Sequence, residues 1–169
     1  MDGLPTYAVN EKDGKWFVRV TKELKKAKTA PMAIRDPNSR TKMLIVGGGA
    51  AGLSCAETLR QSQFTGEIQV LSPEKVTPYD KTLLSTNMSK NSTSLRKGDF
   101  LDAYGIDYQL GYEVTSIDKY AKAVQLADGA RISYDKLLIA TGSKYRSRST
   151  EFIDFLNNIH VLRTAQDQE

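Results

Sequence analysis

Apolar residues in this chain gather in short runs separated by turn-forming residues, and their spacing changes along the sequence. Thr6–Val9 and Trp16–Val20 are two β-type stretches with Lys12-Asp13-Gly14 between them. This pattern predicts a hairpin whose glycine takes positive φ. Residues 21–41 are polar and basic, are broken by Pro31 and Pro37, and read as a linker. Lys42–Val46 (KMLIV) then reads as a strand, and Ala50, Ala51, Leu53, Ala56 and Leu59 repeat at helical spacing, predicting a helix over Ala50–Ser62. Glu67–Ser72 supplies a second strand and completes a right-handed βαβ unit. A turn-rich loop over residues 73–93 leads to a predicted helix at Arg96–Tyr104 and a strand at Ile106–Gln109. Glu113–Ile117, Ala123–Leu126 and Ala130–Ser133, with Asp128-Gly129 at the last turn, predict a meander. Lys136–Thr141 (KLLIAT) has the length and Leu/Ile content of a buried parallel strand. Residues 143–158 read as loop and His160–Arg163 as a last short strand.

The composition, 40% hydrophobic and 26% charged over 169 residues, belongs to an ordinary globular protein of about one domain. No apolar run approaches the roughly 18 residues of a membrane span, so no transmembrane segment is expected. The N-terminus lacks the basic-then-apolar pattern of a secretory signal. A single cysteine, Cys55, rules out an intramolecular disulfide and fits a reducing compartment. The net charge of +4 is uneven, +5 over residues 1–42 and −1 beyond. A nucleic-acid or lipid arm is one reading of Lys22, Lys25, Lys26 and Lys28; a solvated linker is favoured because no aromatic residues interleave with the lysines.

The chemistry-bearing stretch is Lys42–Gly52, where an apolar strand runs into Gly47-x-Gly49-x-x-Gly52 and a helix follows. In that context the glycines are a dinucleotide fingerprint. Gly47 permits the sharp turn, Gly49 lets backbone approach a pyrophosphate, and Gly52 lets the helix pack on its strand. The helix N-terminus then presents unpaired N–H groups and a positive dipole end to the phosphates. Glu74 follows Gly52 by 22 positions, where an acid can accept from ribose hydroxyls. Cys55, among apolar helix positions, reads as a structural thiol, and His160, without metal partners in sequence, as structural too.

Two further stretches, Thr77-Pro78-Tyr79-Asp80-Lys81-Thr82-Leu83-Leu84-Ser85 and Tyr134-Asp135-Lys136-Leu137-Leu138-Ile139-Ala140-Thr141-Gly142-Ser143, separate flavin from nicotinamide binding. With the glycine fingerprint and His160-Val161-Leu162-Arg163-Thr164-x-x-Asp167 they resemble, in order and spacing, the FAD-binding domain of the pyridine-nucleotide-dependent flavoprotein reductases, in the branch of apoptosis-inducing factor and ferredoxin reductase. The resemblance covers residues 42–169. A narrower likeness, in Gly3-Leu4-Pro5-x-Tyr7-x-Val9 and Asp13-Gly14-Lys15-x-Phe17-Val18, is to the last hairpin of a Rieske iron–sulfur domain, as in the Rieske-bearing subtype. A Rieske cluster needs two cysteines and two histidines. With one of each, no metal site is expected, and the chain reads as a fragment: a remnant hairpin over 1–20, a linker over 21–41 and a partial FAD-binding domain over 42–169, with the NAD domain missing.

The resemblance implies an α/β three-layer, Rossmann-like domain with a parallel sheet and a β-meander, and FAD as cofactor. It places the pyrophosphate on Gly47, Gly49, Ala50, Ala51 and Gly52, the adenosine ribose on Glu74, and the adenine against the backbone of Val114. Lys81 stands where the family has an arginine against the flavin nucleotide, a point charge in place of a bidentate fork. Ala140, Thr141 and Gly142 would close over the dinucleotide, and Arg146 matches the arginine of G-S-x-P-R, with Tyr145 in place of its proline. Thr86 occupies the place of a lysine beside the flavin N5. No side chain is required as a catalytic acid, base or nucleophile. The implied activity is electron transfer from NAD(P)H through FAD to an iron–sulfur or quinone-type acceptor, with no nucleic acid, in an intracellular setting, cytoplasmic or mitochondrial. The alternatives are a truncated, non-catalytic FAD-binding or interaction module, and an NAD-only Rossmann dehydrogenase.

Overall fold

The computed structural model describes residues 2–3, 6–20, 28–86, 94–96, 99–144 and 161–168. Two residues of β1 (Asp2–Gly3) pair with β4 (Lys28–Thr29) around a hairpin of β2 (Ala8–Lys12) and β3 (Lys15–Arg19). Asp13 (φ 54°) and Gly14 (φ 68°) form its two-residue turn. Both are left-handed, the conformation whose twist matches antiparallel strands. The hairpin therefore closes one residue tighter than its Lys-Asp-Gly sequence suggests. Every residue of β2 and β3 is exposed, Trp16 by 70%.

The main unit is a four-stranded parallel sheet in the order β11 (Lys136–Ile139), β5 (Lys42–Val46), β6 (Glu67–Ser72), β7 (Ile106–Leu110). Helix α1 (Ala50–Gln61) crosses from β5 to β6, and the short α2 (Asp99–Ala103) precedes β7. Strand side chains alternate between the two faces, and both faces are covered. Ile45, Ile68, Val70 and Ile106 meet Leu53 and Ala56 of α1 and Leu101 of α2. Leu44, Val46 and Leu71 meet Val124 and Leu126 of the meander formed by β8 (Val114–Asp118), β9 (Ala123–Leu126) and β10 (Arg131–Ser133). This is the three-layer α/β arrangement, and burial on both faces explains why the central strand β5 is apolar from Met43 to Val46.

Several boundaries differ from the sequence reading. α2 starts at Asp99 rather than Arg96. Arg96 is instead drawn toward α1, where its guanidinium donates to both carboxylate oxygens of the buried Glu57, at 2.6 and 2.5 Å, and stacks on the Phe100 ring. β11 ends at Ile139; the Ala140 N–H still donates to the Val46 carbonyl at 2.7 Å, and the backbone of Ala140 and Thr141 then lies against Gly47. Val161–Arg163 forms no strand and leads into a 3-10 turn over Ala165–Gln168; His160 lies outside the described residues. Of the segment read as linker, residues 21–27, with Lys22, Lys25 and Lys26, lie outside the described residues, while Ala33 and Asp36 donate main-chain N–H groups to the carbonyls of Arg60 and Thr65.

Arg60, near the end of α1, is fully buried, a location the helical periodicity does not signal. Its guanidinium donates to the carbonyls of Phe64 (2.6 Å), Gly66 (2.9 Å), Tyr104 (2.8 Å, from Nε) and Gly105 (2.8 Å). Five donors in a rigid fork suit a residue that must satisfy several carbonyls at once. Arg60 thereby joins the loop entering β6 to the turn entering β7. Arg60→Met keeps the aliphatic stem and strips the carbonyls of their donor. It is expected to destabilise the domain by about 3 kcal/mol, read as a shift in the urea unfolding midpoint; an unchanged midpoint would show that water replaces the guanidinium.

Candidate functional site

Parallel register delivers three strand ends to one edge of the sheet. Val46 of β5 lies beside Leu71 of β6 and Ile139 of β11, so the chain leaves the sheet together at Gly47, Pro73 and Ala140. The crevice beyond the carboxyl ends of parallel strands is where ligands of open α/β sheets bind. Here it is a cleft of about 720 Å³, within the size range of small-molecule and cofactor sites.

The glycines of the first turn divide by what surrounds them. Gly47 has φ 114°, and a Cβ there would overlap the Ala140 carbonyl. A Cβ on Gly52 would overlap the Gly47 carbonyl, so Gly52 lies behind the cleft, where α1 presses on β5. Gly48, the unremarked middle residue of the motif, is equally constrained: a Cβ would strike Ser72 and the Tyr108 hydroxyl, and that hydroxyl donates to the Gly48 carbonyl. Burial and the nearby Glu74 charge push the Tyr108 phenol up, so it remains a neutral donor. Gly49 alone of the four faces open space on the cleft wall, with no atom within 4 Å of the point a Cβ would occupy.

Gly49 is also the N-cap of α1, and no side chain caps the helix there; no acid stands in the first turn. The first N–H groups of the helix thus lack intrahelical partners, and Ala50 and Ala51 line the cleft without bulk to cover them. An uncapped helix N-terminus with a bare glycine in front of it is a cradle for an anion.

At the next strand end, Ser72 Oγ accepts from the Glu74 N–H at 3.3 Å. The Glu74 carboxylate is held by two donors, Lys81 Nζ on Oε1 and Tyr79 Oη on Oε2, each at 2.6 Å. Lys81 opens a 3-10 turn, Lys81–Leu83, capped by Asp80, whose carboxylate accepts from the Thr82 hydroxyl and N–H; those bonds hold the Asp80 carboxyl below its usual range. Val114, Ala140, Thr141 and Gly142 complete the wall from the meander and β11. Arg146 lies outside the described residues. Thr86 is exposed and outside the cleft lining.

The cleft also includes residues that the motif reading passed over. Lys144 and Arg163 add two cations beside Gly142; Arg163 Nη2 donates to the Ser143 carbonyl at 2.9 Å. Asp167 accepts from the N–H groups of Arg163 and Thr164 and from the Thr164 hydroxyl, and these bonds lower its pKa. They fix the turn that carries Arg163. The signal was present in Arg163-Thr164-x-x-Asp167, whose Thr and Asp are a local hydrogen-bonding pair, but nothing local shows that this turn folds back onto the cleft. Among the described residues no group of His, Cys, Asp and Glu is placed to hold a metal ion, and no helix is long and apolar enough to cross a membrane.

The sequence pattern that defines the pyridine nucleotide-disulphide oxidoreductases matches residues 41–169, which hold the parallel sheet, its helices and the meander. The chain belongs to that family. Members of the family work with FAD and NAD(P)H. Among the family's proteins, apoptosis-inducing factor 3 of Homo sapiens is 34% identical over 176 residues, covering 99% of this chain and 29% of the human protein. The ferredoxin–NAD(+) reductase component of the p-cumate 2,3-dioxygenase system of Pseudomonas putida is 34% identical, covering 75% of this chain and 32% of the reductase. Two solved structures of the family are also similar. Putidaredoxin reductase, in its covalent complex with putidaredoxin, superposes with a TM-score of 0.68 at 31% identity over 78% of this chain and 33% of the reductase. NADH:rubredoxin oxidoreductase from Clostridium acetobutylicum gives 0.67 at 30% over 77% and 34%. The chain therefore spans about a third of the length of the relatives it matches.

The two kinds of glycine should separate by mutation. Gly47→Ala drives a methyl into the Ala140 carbonyl at a left-handed φ and is expected to cost about 3 kcal/mol of stability by thermal melting. Gly49→Ala changes stability by no more than about 1 kcal/mol, yet weakens FAD roughly tenfold in a fluorescence titration, because the added methyl occupies the approach to the helix N-terminus. Equal loss of stability in both variants would contradict this division.

Proposed function

We propose that the cleft holds FAD, and that the chain is the FAD-binding part of an NAD(P)H-dependent oxidoreductase whose electrons leave to an iron–sulfur or quinone-type acceptor. The observation that carries the reading is the uncapped N-terminus of α1 behind the open Gly49, with a ribose-level carboxylate, Glu74, at the adjoining strand end. Two phosphates fit the first; ribose hydroxyls can donate to the second. The relatives named for NAD(+), ferredoxin and rubredoxin support an iron–sulfur acceptor over a quinone.

In this reading Gly47, Gly49, Ala50 and Ala51 receive the pyrophosphate, and Gly52 sets the helix against the sheet so that its N–H groups point there. Glu74 takes the adenosine ribose, Lys81 lies beside it toward the flavin nucleotide, and the Val114 backbone meets the adenine. Ala140–Gly142 covers the dinucleotide, and Arg146 is assigned to the same cofactor by its sequence motif alone. FAD, when bound, supplies the hydride-accepting and electron-releasing chemistry. The residues of this chain bind, orient and exclude water; none acts as acid, base or nucleophile. The domain division that accompanies the reading is a hairpin akin to the end of a Rieske-like domain over 1–20, a linker over 21–41 and the FAD-binding part over 42–169. Cytoplasmic and mitochondrial settings both fit it.

The test is the visible spectrum of the purified chain before and after FAD. Flavin bands near ~370 and ~450 nm that survive desalting are the expected result. A chain that ignores FAD but binds NAD overturns the reading in favour of a nicotinamide site. Bound FAD that NADH does not reduce assigns the chain a binding role alone.

A further inference from the structure

We infer that Tyr79 is a positioning residue for the nucleotide: its hydroxyl, fixed by the main chain of Ala165, aims the Glu74 carboxylate into the cleft. The inference deepens the FAD reading above and rests on it. Tyr79 is 8% exposed and its ring sits in a small apolar cluster with Leu84, Ala165 and Val76, so the phenol has little freedom. Its oxygen does two things at once. It accepts from the Ala165 N–H at 2.9 Å and donates to Glu74 Oε2 at 2.6 Å. The Ala165 bond uses a hydroxyl lone pair and leaves the O–H to point one way only, at the carboxylate. Burial and the neighbouring carboxylates of Glu74 and Asp167 push the phenol up, so it stays protonated and remains a donor wherever the protein is folded.

The consequence reaches beyond one hydrogen bond. Lys81 holds the other oxygen of Glu74 and lies over the Tyr79 ring, 5.6 Å from its centroid. Lys81 is a flexible, partly solvated partner, so the rigid member of the pair is Tyr79. Ala165 begins the 3-10 turn that follows Arg163, which lines the far wall of the same cleft. A single phenolic oxygen therefore sets the ribose-level acceptor and ties down the segment bearing a cleft cation. A carboxylate whose oxygens are already oriented loses less freedom on accepting from a ligand, the general benefit of a preorganised site.

The experiment measures FAD affinity by flavin fluorescence for the wild-type chain, Tyr79→Phe, Glu74→Gln and the double variant, with melting curves for each. Tyr79→Phe is expected to weaken FAD about tenfold, while in the Glu74→Gln background it costs less than about threefold, since the group it aims has lost its charge. Ala165→Pro is the second variant. It puts the proline ring carbon in place of the N–H that fixes the phenol and so displaces the hydroxyl, at the first position of a helical turn where proline is tolerated, and it should weaken FAD several-fold with Tyr79 intact. An equal effect of Tyr79→Phe in both backgrounds would make Tyr79 a packing residue and overturn the inference. So would unchanged affinity in Tyr79→Phe, or in Ala165→Pro should Tyr79→Phe fail to fold. A wild-type chain that takes up no FAD fails the cleft reading itself, and this inference with it.

Discussion

The site depends on how closely three pieces of backbone approach one another at the carboxyl end of β5. Gly52 of α1 lies against the Gly47 carbonyl, and Gly47 lies under the Ala140 carbonyl, with no room for a Cβ at either contact. Helix, turn and the strand after the meander are thereby stacked within van der Waals distance. The helix N-terminus can point its N–H groups at the cleft only because it sits this low on the sheet. The interaction is steric before it is electrostatic: the dipole and the orphan donors are useful because close packing aims them.

Around that stack the domain uses polar groups as braces where apolar packing cannot reach. Arg60 satisfies the carbonyls of two loops from a fully buried position, and Glu57 with Arg96 fastens the chain before α2 to the back of α1. Tyr108 and Ser72 support Gly48 from the sheet side. Glu57 and Arg60 lie on α1 and Ser72 on β6, elements that also line the cleft, so the geometry of the phosphate cradle is coupled to the stability of the fold. A buried arginine with carbonyl partners leaves little tolerance for movement, because each lost bond exposes a group with no access to water.

The edges of the unit make a contrast. The β2–β3 hairpin has a well-formed turn and no share in the core; Val9, Trp16 and Val18 stay exposed. A two-stranded hairpin is at best marginally stable alone, so local turn chemistry, Asp13 and Gly14 with positive φ, carries its shape. The main unit shows the opposite balance, with its strands held by burial on both faces.

Much of this was legible in the residues themselves. Period and composition determined the strand at Lys42–Val46, the helix from Ala50, the strand at Glu67–Ser72 and the β9 strand, because each buries a regular apolar pattern and ends at glycine or a turn residue. The glycine fingerprint and Glu74 are likewise local, since short-range chain geometry dictates them. What the tertiary structure alone decided is long-range. The burial of Arg60, the pairing of Arg96 with Glu57, the return of Arg163 to the cleft wall, and the Tyr79 bridge between Glu74 and Ala165 each join residues distant in sequence. Their positions follow from which surfaces meet once the sheet and its two covering layers have packed, and no residue's own propensity encodes the identity of its partner.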